Sequence, residues 1–137
     1  MVYSKKYNYY KFPGGGIEKE ESNIDALVRE VKEEVGLDII IESIKEYGLV
    51  IRKDIGSEKD ILLQENYYYI CNVKDDITNQ SLDEYETEEG FCLKFVSKDT
   101  IIKTNLSENH NNTSLNNMHI IERDTKVIKL LIQEDII

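Results

Sequence analysis

Glu30, Glu33 and Glu34 are three carboxylates within five residues, spaced i, i+3 and i+4. A helix sets residues at that spacing on one face, where like charges cost roughly a few tenths of a kcal/mol per pair. An acidic face turned to solvent is the plain meaning of such a cluster. The chemistry it could do is more specific. Three clustered carboxylates make an oxygen cage for a hard divalent cation, Mg²⁺ or Mn²⁺. Arg29 flanks the cluster, and three glycines at 14–16 precede it.

The elements that must hold these groups are legible in outline. Residues 22–35 predict a helix: Ser22 is a suitable N-cap, Asp25 three residues on completes a variant capping box, and Gly36 is the stop. Ile24, Leu27, Val28, Val31 and Val35 recur at helical spacing and form its buried stripe. Residues 1–12, rich in tyrosine, read as one strand ended by "PGGG". "LDIII", "IKEYGLVIRK", "DILLQENYYYICNV" and "GFCLKFV" read as further strands, the last with Phe91, Leu93 and Phe95 alternating. Ser97 caps a short helix, residues 105–117 read as a mobile loop, and the tail from Met118 suits an amphipathic helix with Ile120, Ile121, Val127, Ile128 and Leu131 inward. No repeat or boundary divides residues 1–137, so one domain is expected.

The composition narrows the function classes. With 40% hydrophobic and 32% charged residues the chain is expected to be globular, without a run long enough to span a bilayer. The net charge of -10 speaks against broad binding to nucleic acid or an anionic membrane, which needs a basic face. A small anionic substrate stays open if divalent cations stand between the charges. No secretory leader is visible at the start, so a cytoplasmic location is expected, with Cys71 and Cys92 as free thiols. The sequons at Asn79, Asn105, Asn111 and Asn112 then reflect an asparagine-rich composition.

The opening cluster belongs to a longer pattern. Gly15, Glu21, Arg29, Glu30, Glu33, Glu34 and Gly36, with Val31 and Leu37 at apolar positions, fill every fixed place of G-x5-E-x7-R-E-U-x-E-E-x-G-U. Residues 15–37 therefore resemble the Nudix box, and Pro13 and Gly14 match its usual approach. The resemblance implies an α/β fold, a Nudix-type α/β/α sandwich with a mixed central sheet. It implies metal ligation by Glu30, Glu33 and Glu34 with the Gly15 carbonyl, and Mg²⁺ as cofactor, with Mn²⁺ as an alternative. Arg29 would orient a glutamate, with Glu21 its partner. The implied reaction is hydrolysis of the diphosphate bond in a nucleoside diphosphate linked to another moiety. The alternative is a catalytically silent Nudix-like domain that binds a nucleotide. The expected partner is thus a small nucleotide diphosphate, with no bulk nucleic acid and no membrane; a homodimer is compatible, although no interface is legible.

The proton acceptor is either a box glutamate or a later carboxylate. Residues 83–89 offer Asp83, Glu84, Glu86, Glu88 and Glu89, of which Glu88 and Glu89 lie nearest the next strand and are the expected choice. Glu33 is the first candidate within the box. Lys5, Lys6, Lys11 and Arg52 could meet substrate phosphates, and one or two tyrosines of "YNYY" and "NYYYI" could stack on a base. His110 and His119 read as loop and surface residues. The resemblance leads one to expect a further strand before residue 1, so either the chain is cut short or the sheet lacks its first N-terminal strand.

Overall fold

The computed structural model describes residues 1–55 and 61–137. Its elements are β1 (Val2–Ser4), β2 (Tyr9–Lys11), α1 (Asn23–Val35), β3 (Leu37–Ile39), a 3-10 turn (Ile41–Ser43), β4 (Lys45–Ile55), β5 (Ile61–Ile70), β6 (Val73–Ile77), α2 (Glu84–Glu89), β7 (Phe91–Leu93), α3 (Lys98–Asn105) and α4 (Leu115–Gln133). Helix and sheet are mixed, as an α/β fold requires. The described strands pair antiparallel throughout, in three small sheets ordered β2-β1-β7, β3-β6 and β4-β5, not in one mixed sheet. Two of these pairs, β1–β7 and β3–β6, join strands that lie far apart in the chain.

The N-terminal stretch is a hairpin, so two strands precede the box where one was expected. Asn8 turns it with a positive φ of 53°, and its N–H donates to the Ser4 carbonyl. The register pairs Val2 with Lys11 and Leu93, and Ser4 with Tyr9 and Phe91. Directly opposed residues share a face. Val2, Ser4, Tyr9, Lys11, Phe91 and Leu93 therefore point one way, and Tyr3, Tyr10 and Cys92 the other. The first face meets α1 in a core of Val2, Val31, Val35, Leu37, Ile39 and Phe91. The second meets α3 and α4 through Tyr10, Ile101 and Ile128.

Helix α1 forms as its sequence predicts. The Ser22 hydroxyl accepts from the Asp25 N–H, and Gly36 closes the helix at φ 69°. Val31 and Val35 are buried, Leu27 and Val28 partly so, and Ala26 joins them beside the expected stripe. The last turn is clamped from outside: the Thr78 N–H and hydroxyl both donate to the Gly36 carbonyl, and the Ser81 N–H to that of Glu33. A Cβ on Gly36 would lie 2.0 Å from the Thr78 carbonyl oxygen. Gly36→Ala should therefore combine a backbone clash with left-handed strain of about 1–2 kcal/mol. Thermal unfolding should register a loss of several degrees, while a substitution at open Gly16 should not.

Several expectations differ in detail. The segment expected as one long strand from Asp60, a residue outside the described ones, is β5 and β6 in different sheets. It breaks at Asn72, whose N–H donates to the Ser43 hydroxyl and whose carbonyl accepts from Ile40. Strand β7 ends at Leu93, which leaves Phe95 exposed despite its place in the alternation. The loop expected over 105–117 covers only the residues between α3 and α4, and it is tied down. His110 is buried, with its ring nitrogens against the carbonyls of Tyr7, Asn8 and Asn105, because the β1–β2 turn lies beneath it. The Asn111 amide donates to the Lys6 carbonyl. His119, by contrast, is partly exposed on α4. Cys71 and Cys92 are free. Among the described residues no helix is long and apolar enough to cross a membrane.

Candidate functional site

Arg29 is the hub of the loop that enters α1. Its guanidinium donates twice to Glu21, at 2.8 and 2.9 Å, and once each to Glu30 (2.7 Å), Glu33 (3.2 Å) and the Gly16 carbonyl (2.9 Å). The planar fork of an arginine suits this: one side chain ties the glycine loop, the turn and the helix face together. The same bonds hold the Glu21 carboxyl down at about 2, with the Arg29 hydrogen bond the main cause. Arg29 also offsets the mutual repulsion of Glu30 and Glu33. Glu30 is largely enclosed, whereas the Glu33 side chain is 42% exposed. The Gly15 backbone lies so close to Glu30 that a Cβ there would come within 2.5 Å of its carboxyl carbon. Glycine is needed at 15 for that approach, more than for any turn.

Glu34 faces the other way, into the protein. It is 1% exposed, with Lys11 Nζ 2.5 Å from Oε1 and the Gly14 N–H donating to Oε2 at 2.7 Å. The register of β2 explains Lys11: it shares the α1-facing side of the hairpin with Val2 and Ser4. Lys11 also donates to the Gly14 carbonyl at 3.2 Å, one residue before the carbonyl expected to serve as ligand. Burial pushes the Glu34 carboxyl up to about 7, against the pull of Lys11 and the Gly14 N–H; the charge on Glu86 adds to the rise. Gln80 fixes the helix end here, donating to the Glu34 and Phe91 carbonyls.

The acidic stretch 83–89 is a short helix and not an open turn. Asp83 caps α2 in a reciprocal capping box with Glu86. This puts the five carboxylates in different places. Glu84 is exposed, and Glu88 points out to Lys6 at 2.6 Å. Glu89 is buried, with Oε2 accepting from the hydroxyls of Ser4 (3.1 Å) and Tyr9 (3.0 Å) and Oε1 from the Asn117 amide (3.0 Å). Burial, and then the nearby Glu89 charge, raise the Tyr9 hydroxyl well above its ordinary value, which keeps it a donor. Glu86 is buried too, and its charge is felt at both Glu34 and Tyr85. α2 therefore borders the inner edge of the α1 cluster through Glu86. The sequence carried only its acidity as a sign of that. Gln80 gave no signal, and Lys11, named only as a phosphate contact, could not be tied to Glu34, since both roles depend on which strand face and which loop lie against α1.

The residues divide into an outer group, Glu30 and Glu33 on Arg29, and an inner one, Glu34 on Lys11. Among the described residues no three His, Cys, Asp or Glu side chains converge as a preformed cage. The donor chemistry nonetheless fits Mg²⁺. Carboxylates and backbone carbonyls are its preferred ligands, and the lack of a Cβ at Gly15 lets the Glu30 carboxylate lie against the backbone of the glycine run.

Comparison with known proteins identifies the family. The NUDIX domain family model matches residues 3–115. Two curated relatives from Saccharomyces cerevisiae, an mRNA-decapping enzyme subunit 2 of strain YJM789 and an m7GpppN-mRNA hydrolase of strain S288c, are each 32% identical over 106 residues. Those residues are 77% of this chain and 10% of either relative, so the chain spans about a tenth of their length. No solved structure gives a significant match. A family match over most of the chain, across a box whose Arg29 is bonded to Glu21, Glu30 and Glu33, makes this protein a member of the Nudix family.

Proposed function

We propose that the protein is a Mg²⁺-dependent hydrolase that cleaves the diphosphate bond of a nucleoside diphosphate linked to another moiety. The observation that carries this reading is the Arg29 hub, which spends one buried-edge guanidinium on holding Glu21, Glu30 and Glu33 in register. A solvated acidic face would need no such anchor. Glu30, Glu33 and Glu34, with a carbonyl of the glycine run, would hold the ion. When bound, Mg²⁺ supplies charge neutralisation to the phosphate oxygens, which otherwise repel an attacking water. The two yeast relatives are named for mRNA decapping and for m7GpppN-mRNA hydrolysis. A net charge of -10 favours a small diphosphate over a long RNA here. We read the layers, α1 on one face of β2-β1-β7 with α3 and α4 on the other, as the α/β/α sandwich of the family. The free thiols suit a reducing, cytoplasmic setting.

Within the chain, the group best placed to take the proton from water is Glu33. It is half-exposed and makes one long bond, to Arg29. Glu89, an expected choice, is buried and already accepts three hydrogen bonds, which occupy both of its oxygens. Glu88, the other, is engaged by Lys6 on the surface. Changing Asp83, Glu84, Glu86, Glu88 and Glu89 singly to the amide should leave turnover within a few-fold in all but Glu86, whose charge reaches Glu34. Glu89→Gln should lower the melting temperature instead, since its new amide group faces donors. A steep fall in kcat for Glu88→Gln or Glu89→Gln, without loss of fold, would move the base to α2.

The function is tested by offering Mg²⁺ and a panel of ADP-ribose, dinucleoside polyphosphates, sugar nucleotides, nucleoside triphosphates and a short capped RNA, with products separated. Release of a nucleoside monophosphate from a linked diphosphate supports the proposal. Turnover of none of them, with the protein folded, would favour the silent nucleotide-binding alternative.

A further inference from the structure

Lys11 is 6% exposed, and its ammonium touches three things: Glu34 Oε1 at 2.5 Å, the Gly14 carbonyl at 3.2 Å, and the Phe91 ring with its centroid 5.3 Å away. Burying an ammonium is costly unless its partners compensate. The hairpin face it stands on is otherwise apolar or neutral, carrying Val2, Ser4, Tyr9, Phe91 and Leu93. The position therefore answers to Glu34 and not to the core.

The oxygens that receive the ammonium are a carboxylate and a backbone carbonyl, the donor types that a hard divalent cation takes. The second Glu34 oxygen is occupied by the Gly14 N–H, so Oε1 is the one turned to a cation. The Gly14 peptide and Glu34 thus form a two-oxygen seat, with the amino group of Lys11 in it. Two cations on one carboxylate oxygen repel, so a divalent ion on Oε1 weakens the hold of Lys11 there.

We infer that Lys11 is a resident counter-cation, holding the Glu34–Gly14 seat while no divalent cation is bound and withdrawing from Glu34 when one binds. The inference rests on the metal-site reading above and adds an exchange to it. By linkage, the ion pair stabilises the metal-free fold and weakens metal binding by the same amount. Lys11 is a positioning residue in this scheme: it keeps Glu34 oriented and sets the threshold at which the site fills.

Mn²⁺ is the probe, with free ion read by its electron paramagnetic resonance signal and melting measured without metal. Lys11→Met should melt lower than wild type when metal-free, yet, compared at a pH where Glu34 is ionised in both proteins, bind Mn²⁺ about tenfold or more tightly, because the competing cation is gone. Lys11→Arg should restore the wild-type affinity to within a few-fold. A residue of purely structural value would lower the melting temperature and leave Mn²⁺ affinity alone. Should Lys11→Met not fold without metal, amine acylation of wild type gives the second reading. Lys11 should be protected without Mg²⁺ and labelled severalfold faster at saturating Mg²⁺, with exposed Lys94 as the unchanged control. Saturable Mn²⁺ binding with equal affinity in wild type and Lys11→Met, or Lys11 labelling indifferent to Mg²⁺, overturns this inference alone. No saturable Mn²⁺ binding in wild type overturns the metal reading and this inference with it.

Discussion

Glu33→Gln should lower kcat by about three orders of magnitude and leave the melting temperature nearly unchanged. The charge lost is one that a divalent cation and a reacting water would both use, and several kcal/mol of transition-state stabilisation is worth roughly a thousandfold in rate. The fold should survive because the side chain is half-exposed and, among the described residues, bonded only to Arg29, which retains Glu21 and Glu30. Glu34→Gln should be as inactive but for a mixed reason. The sequence alone suggests that both glutamates sit on an exposed face. The structure buries Glu34 and pairs it with Lys11, so the amide leaves a buried ammonium without its counter-charge. Breaking one partner of such a pair costs about 3–5 kcal/mol. Steady-state kinetics and thermal unfolding on the two variants separate the cases: both lose turnover, and only Glu34→Gln also loses stability.

Asp124→Ala should be the most destabilising of the changes away from the box. Asp124 is fully buried in α4 and accepts from the Phe12 N–H at 2.9 Å, the Tyr68 hydroxyl at 2.8 Å and Arg123 Nε at 2.8 Å. It thereby pins the strand leading into the glycine run, β5 and its own helix to one point. Alanine would strand three donors, one of them charged, at about 3–5 kcal/mol. A loss of roughly 10–20 °C in melting temperature should follow. Phe12 packs edge-on against Tyr68 at 5.5 Å, so the neighbouring Pro13 and Gly14 should lose definition as well. A near-wild-type melting temperature would mean that Asp124 is not the tie between these three elements.

What the sequence made legible was local. Ser22, Gly36 and the apolar stripe of α1 act within a few residues of one another, and Ser97 likewise caps α3. The box pattern is local too, which is why Arg29 and its glutamates could be named with their numbers. What escaped is set by contacts far along the chain. The burial of His110 depends on a turn about a hundred residues earlier, and that of Glu89 on Ser4, Tyr9 and Asn117. Residues 1–12 looked like one strand because five tyrosine or phenylalanine side chains outweigh the single turn signal at Asn8. Lys11 is a lysine like any other until the hairpin register turns it toward Glu34.

The claim on which the rest depends is that the α1 carboxylates hold a divalent cation. Mn²⁺ titration of wild type beside Glu30→Gln and Glu33→Gln, following free Mn²⁺, tests it without any assumption about substrate. The account predicts saturable binding to the wild-type protein, weakened about tenfold or more by either substitution. Binding that never saturates, or that saturates identically in all three proteins, would contradict it.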